Sequence, residues 1–440
     1  MSCETVPLAS TVPPRNETTF IFNGENVFTT EGSVSGPTAA LVSRLSIRSV
    51  WYGFDTVVVP AEPPEDFHQY TKQLGGNSNI IVPDGVSTEQ VSMLDGLDDR
   101  RVAEAIRGKS VTSYVGCSAL YKRVSALGGS YIGGDPGDVV RRANDKSHYA
   151  DFCRGMVEVA QSEQAVGLEA IATAVYSRLQ QGDGKAFVRL THSGGGLGNY
   201  AFSVNDKGEV PTLDEITTTL LSKGNQDWSS PALVEEYLDL TFSPAVSFGP
   251  EGFSYHNLQI TQRNDYRGSW SPVPPELCDL EQLEHIGDHF ARELQKIGYH
   301  YTANTDLGLT RDGRIVGFEI NARMTGTRHA IAIGELLLGP WATWQSNQVA
   351  IKSLDHFVLR EPLSFEQAHG ILDQANLLAT PENPFGVVIT VPPQGHKLGV
   401  QFHGHGEGLG AYQMAQSQYE QTLDLLGDRQ ANWEDHPLIT

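Results

Sequence analysis

Cysteine is scarce: the 440 residues hold four, at Cys3, Cys117, Cys153 and Cys278, with no Cys-x-x-Cys pair. Thiols so scattered give neither a zinc ligand set nor a disulfide framework, and reduced thiols suggest a cytoplasmic chain. Positive charge is scarce too. Lys and Arg number 31 against 53 Asp and Glu, a formal charge of −22. Such a chain is a poor general binder of nucleic acid, because Lys and Arg must displace the counterions of a phosphate backbone. A local basic pocket for one small anion stays open. Long apolar runs are missing. Thr56–Pro60 and Ala330–Leu338 fall well short of the ~20 residues of a membrane span, so no membrane partner is expected. The segment Met1–Arg15 lacks the charged start and apolar block of a secretory signal.

What is present suits a folded chain: 39% hydrophobic and 19% charged residues, at a length that predicts about three domains. Residues 1–18 read as a loose leader. From 19 to 143, strand-like segments at 20–22, 49–59 and 79–82 alternate with helices at 99–107 and 118–127. That alternation predicts an α/β domain with a parallel sheet and helical crossovers. From 144 to 240 the texture changes. A helix is expected from Asn144-Asp145 to Val159, another over 167–179, and strands over 186–190, 200–204 and 232–238. Thr212 with Glu215 three later marks a capping box before a helix over 212–221. From 241 to 345 the clearest element is a helix over 281–297, where Leu283, Ile286, Phe290, Leu294 and Ile297 recur at three- and four-residue steps. From 346 to 440 a terminal piece carries strands at 386–391 and 399–402 and a helix over 413–426. His403-Gly404-His405 has no neighbouring ligand set for zinc.

Residues 301–309 and 315–321 flank Arg311-Asp312-Gly313-Arg314, and Asp-Gly is a strong two-residue hairpin signal. With Asp312-Gly313 as the loop, Asp306 faces Glu319 and Asn304 faces Asn321 on the same side. Directly opposed like charges repel, so two facing acids need a shared proton or a cation between them. Two carboxylates and an asparagine amide form an oxygen ligand set suited to Mg²⁺, with Mn²⁺ as an alternative. Arg323 keeps the same facing if the strand continues, and its fork suits a phosphate or carboxylate. A solvated sheet face is the competing reading, and a one-residue slip removes the argument.

Ser193-Gly194-Gly195-Gly196-Leu197-Gly198 joins two strand-like segments. Glycines let backbone N–H groups approach an anion, yet no Gly-Lys-Ser/Thr follows and no helix begins there, so this is neither a Walker loop nor a dinucleotide fingerprint. Arg189 lies on the strand entering the loop. Lys146 sits in the first turn of its expected helix, against the helix dipole.

Taken in order, Asn144-Asp145-Lys146, Phe187-Val188-Arg189 with the glycine loop, Val234-Glu235-Glu236-Tyr237-Leu238, Asp306, and Glu319-Ile320-Asn321-Ala322-Arg323 resemble the ATP-grasp superfamily of carboxylate–amine ligases over about residues 144–335. The stretch Arg48-Ser49-Val50-Trp51 to Asp55-Thr56-Val57-Val58-Val59-Pro60, with Gly133-Gly134-Asp135, resembles the preceding domain of the pheganomycin-type peptide ligases. The resemblance implies a pre-ATP-grasp α/β domain over 19–143 and an α+β nucleotide-binding part. In that part a lid subdomain covers 144–240, a metal subdomain covers 241–345, and 346–440 completes the substrate side.

The same resemblance implies residue roles. Lys146 contacts ATP phosphate, and Arg189 stands where the family usually has a second phosphate-binding lysine. Ser193, Gly194, Gly195, Gly196 and Gly198 close over the phosphates, and Glu235, Glu236 and Leu238 form the hinge strand near adenine and ribose. Asp306, Glu319 and Asn321 hold Mg²⁺, and Arg323 stabilises the transferred phosphoryl group, with Arg189 assisting. Arg263, Arg267 and Arg328 are candidate contacts to the substrate. The implied reaction joins a small-molecule carboxylate to an amine or peptide through an acyl phosphate, in an enzyme that forms a homodimer. A carrier-protein thiol or an ammonia equivalent as acceptor, or a non-catalytic nucleotide-binding regulator, are the competing functions.

Overall fold

The structure, a computed structural model, describes residues 17–27, 33–76, 79–191, 198–222, 228–262 and 265–432. The first part is a five-stranded parallel sheet in the order Asn79–Ile81, Thr56–Val58, Thr18–Ile21, Ser110–Ser113, Ser130–Tyr131. Its central strands are buried along their whole length, which explains their continuous apolar and β-branched character. The expected strand over 49–59 is a strand only in its second half. Ile47–Tyr52 is a 3₁₀ helix, and Gly53 leaves it in the left-handed region at φ 73°. The wide aromatic anchors Trp51 and Tyr52 are fully packed there, and the Trp51 indole N–H donates to the Thr390 carbonyl at 2.9 Å.

The expected helix over 144–159 is also broken. A helix over Val139–Asn144 stops at Asp145, whose backbone is extended and whose side chain caps a 3₁₀ turn over Lys146–His148. A short helix over Tyr149–Cys153 follows, then a two-residue strand at Glu158–Val159. Beyond it lies a four-stranded antiparallel sheet in the order Asn199–Ser203, Lys185–Leu190, Pro231–Glu235, Ser162–Val166. Helices over Leu168–Gln181 and Leu213–Leu221 back this lid sheet around their own small core. The capping box is present as expected, with Thr212 and Glu215 each satisfying the other's backbone N–H.

The remainder is a ten-stranded sheet that runs without a break from the hairpin strands Ala303–Thr310 and Ile315–Asn321 to Val349–Val358, Val387–Gln394 and Lys397–His405. It therefore crosses the expected boundary at 345/346. The strand Asp265–Ser271 also belongs to this sheet. The helix Leu280–Lys296 lies on it, burying Leu283, Ile286, Phe290 and Leu294 as the periodicity predicts. Each such side chain contributes roughly 1.5–3 kcal/mol.

The hairpin reaches the expected facing by an unexpected route. Its loop has three residues, Arg311-Asp312-Gly313: the Thr310 N–H donates to the Arg314 carbonyl at 2.9 Å, and Gly313 adopts φ 84°. This turn places Leu309 opposite Ile315 and Leu307 opposite Gly317, one residue out of the expected register. A bulge at Phe318 then restores it, so that Asp306 faces Glu319 and Asn304 faces Asn321. Gly317 beside the bulge is pressed against the Tyr149 hydroxyl, where no side chain fits.

Gly313 has open space around it, so its substitution isolates the backbone term. Gly313→Ala is expected to destabilise the fold by about 1 kcal/mol through left-handed strain alone, seen as a lower urea midpoint at unchanged m-value. A wild-type midpoint would contradict the turn assignment.

Candidate active site

The acidic hairpin supplies the middle of the site. The Asn321 carboxamide donates to Asp306 Oδ2 at 2.9 Å, and that of Gln259 donates to Oδ1 at 2.8 Å. Burial and the facing Glu319 push the Asp306 carboxyl up to about 7. Glu319 moves the other way. Burial alone would raise it, but Lys146, Arg189 and Arg323 together outweigh that and hold it below the usual carboxylate range. The Lys146 ammonium lies 3.0 Å from Glu319 Oε2. One acid is thus ionised on the chain's own lysine, while the other keeps its proton up to near neutrality. That is the behaviour of an acid pair with no cation between its members. Two carboxylates and a carboxamide oxygen fit a hard divalent ion such as Mg²⁺. An ion of this kind keeps waters and takes phosphate oxygens where protein oxygens are few.

Cations and the lid close around the pair. Arg189 is buried and grips Glu235 with both ends of its fork, Nε to Oε2 at 2.5 Å and Nη2 to Oε1 at 2.6 Å. Its Nη1 donates to the carbonyl of the bulged Phe318 at 2.8 Å. The arginine therefore ties the lid sheet to the residue that sets the hairpin register. Asn144 Oδ1 accepts from the Ala322 N–H at 2.8 Å and from Arg323 Nη1 at 3.4 Å, fixing the chain where the strand ends. The expected strand over 232–238 ends at Glu235. Glu236 turns to the neighbouring chain, accepting from the Gln161 N–H at 2.9 Å, and Leu238 is partly buried beyond the strand. Gly198 is buried, and its carbonyl accepts from the Leu190 N–H at 3.0 Å. Ser193, Gly194, Gly195, Gly196 and Arg263 lie outside the described residues.

From the acid pair a cavity of about 350 Å³ runs past Arg323 to Arg48, Tyr114 and Asp355. Arg267 is half-buried on the strand Asp265–Ser271. Arg328 leans along its own helix toward Glu335, 3.7 Å away, and does not line this cavity. The sequence reading missed Gln259 and Asp355. For Gln259 a signal was present: Tyr255, Asn257, Gln259 and Thr261 put a polar or hydroxylated residue at every second position, the mark of a polar sheet face. For Asp355, which meets Arg48 from a strand over three hundred residues away at 3.1 Å, no local pattern exists.

No family model matches the chain, and no curated protein sequence is detectably similar to it. Its fold, however, is shared by solved structures. The ADP complex of purK, N5-carboxyaminoimidazole ribonucleotide synthetase, superposes with a TM-score of 0.55 at 13% identity, over 94% of this chain and 99% of that one. The biotin carboxylase domain of Hydrogenobacter thermophilus 2-oxoglutarate carboxylase, a dimer holding MgADP, ADP and bicarbonate, gives 0.56 at 12% identity, over 93% and 90%. Biotin carboxylase from Campylobacter jejuni gives 0.56 at 13%, over 93% and 91%. The fold is the ATP-grasp fold, as the sequence motifs imply. Among the described residues no helix is long and apolar enough to cross a membrane.

The Asp306 carboxyl sets a pH dependence. In the fold it holds its proton up to about pH 7, whereas an unfolded aspartate loses it near ~4. The fold binds the extra proton in that window, so the cation-free fold loses stability as pH rises through it. Excess Mg²⁺ is therefore expected to raise the unfolding temperature at about pH 8 and to do little at about pH 5. An equal rise at both pH values would remove Asp306 from the ligand set.

Proposed function

We propose that the chain is an ATP-dependent carboxylate–amine ligase, akin to the pheganomycin-type peptide ligases, which forms an amide bond through an acyl phosphate. The observation that carries this reading is the convergence of the Asp306–Glu319 pair, Asn321, Lys146 and Arg323 at the inner end of one cavity. Asp306, Glu319 and Asn321 would hold Mg²⁺, which offsets phosphate charge and polarises the transferred group. Lys146 leaves Glu319 to contact ATP phosphate. Glu235, Glu236 and Leu238 form the hinge near adenine and ribose, and Ser193 to Gly198 cover the phosphates.

The Arg189 fork is engaged by Glu235 and the Phe318 carbonyl, so its part in phosphate binding is to add positive potential and hold the hairpin. The substrate carboxylate lies against Arg323 and attacks the γ-phosphoryl group; Arg323 then neutralises charge on the equatorial oxygens. An amine displaces phosphate from the acyl phosphate, behind a lid that keeps water out. Arg267 is a candidate contact to the substrate, as is Arg263 on the resemblance alone. The Arg328–Glu335 contact argues against Arg328 as a substrate ligand.

Incubation with ATP, Mg²⁺ and pooled carboxylates and amines is expected to release ADP and phosphate only when both substrate classes are present. AMP with pyrophosphate would refute the acyl-phosphate route. Release that needs a carrier thiol or ammonia in place of an amine would move the reading to those acceptors, and nucleotide binding without turnover would move it to a regulator. Glu319→Ala is expected to abolish turnover, a loss of at least about a thousandfold, with an unchanged circular dichroism spectrum.

A further inference from the structure

The outer end of the cavity collects positive charge that the chain does not neutralise. Arg44 and Arg48 are 4% and 2% exposed. They share one acid: Asp355 takes Arg48 Nη1 on its carboxylate at 3.1 Å and Arg44 Nη2 on its carbonyl at 2.8 Å. Arg44 Nη1 also meets His356 Nδ1 at 3.2 Å, and Arg48 Nη2 donates to the Tyr114 hydroxyl at 3.1 Å. The Nε atoms of Arg44, Arg48 and Arg267 are buried and without partners among the described residues.

Strand register adds two more cations. Gly268 pairs with Leu354, which sets Arg267 beside Asp355, and Lys397 pairs with Val358, two residues beyond His356. Their crowding is felt: Lys397 is shifted down by burial and then by Arg44 and Arg267, and Arg44 falls to about 10, chiefly through burial. Asp355 is the carboxylate that acts on Arg44, Arg48 and His356. Arg44 and Arg48, buried together beside one carboxylate, call for a counter-anion, and in a chain of net charge −22 the gathering of cations here is specific.

The same wall carries a second sign of a ligand. Thr325, Gly326 and Thr327 bring the start of the helix Arg328–Leu338 to the cavity, and a side chain on Gly326 would lie 3.6 Å from Arg48 Nη1. Asp355 Oδ2 lies nearer to that position, at 3.2 Å, so the anion between this guanidinium and the helix start is the chain's own. Asn257, 1% exposed and lining the cavity, leaves both ends of its carboxamide without partners among the described residues.

The reacting carboxylate cannot supply this anion. The strand bearing Asp355 is the fourth from that bearing Asp306, roughly 19 Å between backbones. The lining between the two ends is mixed: Asn257, Gln259 and Thr261 come from the strand Gly252–Gln262, and Leu41, Val42 and Leu45 from the helix Gly36–Ser46.

Resting on the ligase reading above, we propose that the outer end of this cavity is a subsite for a second oxyanion of the substrate. The substrate class is then an extended carboxylic acid with a distal carboxylate or phosphate. Arg48, His356 and Asn257 receive the distal group, and Arg267 and Lys397, which do not line the cavity, add positive potential.

The test is equilibrium binding to the full-length protein without nucleotide, using suberate, octanoate and 6-phosphonohexanoate as probes. Suberate or the phosphonate is expected to bind about tenfold or more tightly than octanoate, and the tighter of the two identifies the distal group. Arg267→Gln and Lys397→Gln, both at solvent-reachable positions, are expected to erase that preference. Equal affinity for all three probes, or a preference that survives both substitutions, overturns the subsite. The two readings fail separately. A dianion preference retained in Glu319→Ala, in a wild type that releases no ADP with any substrate pair, leaves the subsite standing without the ligase. ADP release equally fast with suberate and octanoate, unchanged by both substitutions, leaves the ligase standing without the subsite.

Discussion

Two carboxylates that face one another across a β-hairpin, largely removed from water, organise everything around them. Side by side in such a place they cannot both be ionised at modest cost. The fold answers with a division: Glu319 keeps its charge because Lys146, Arg189 and Arg323 surround it, and Asp306 keeps a proton while Gln259 and Asn321 donate to it. Each helper arrives from a different element, so the lid, the 3₁₀ turn and the central sheet all converge on one unfavourable contact. A structure that gathers cations and amide donors about an acid pair, and leaves a cavity next to it, is arranged for a charged guest.

The facing of those acids was legible in the sequence, though for an incomplete reason. Asp312-Gly313 announces a hairpin, and a two-residue loop brings Asp306 opposite Glu319. The loop in fact has three residues, and Phe318 contributes the compensating irregularity. Nothing in Phe-Glu-Ile-Asn marks a bulge. It exists because Arg189, far along the chain, takes the Phe318 carbonyl, and because Tyr149 fills the space over Gly317. Local signals specify turns and facing to within one residue, and tertiary contacts decide that last residue.

Capping and amphipathic helices were read correctly where one element's own residues suffice, as at Thr212–Glu215 and Leu283 to Leu294. Reading failed where a local pattern is overruled at a distance. The apolar run around Trp51 coils into a 3₁₀ helix because its indole must reach the Thr390 carbonyl. Asp145 stops a helix because its carboxylate caps the next turn. The substrate wall was hidden because Arg48 and Asp355 are joined only in space.

The lid sheet has a particular mode of attachment. The chain enters it from Glu158–Val159, which pairs with the hairpin strand Ile315–Asn321, and leaves it into Leu240–Phe242, which pairs with the other hairpin strand. Both stems are rooted in the same β-ribbon, so the lid behaves as a cassette spliced into a continuous sheet. Exchange of the intervening segment between related chains would move this sheet, its two helices and their core as one heritable module. A cut near residue 345, by contrast, would sever ladder pairing across the ten-stranded sheet.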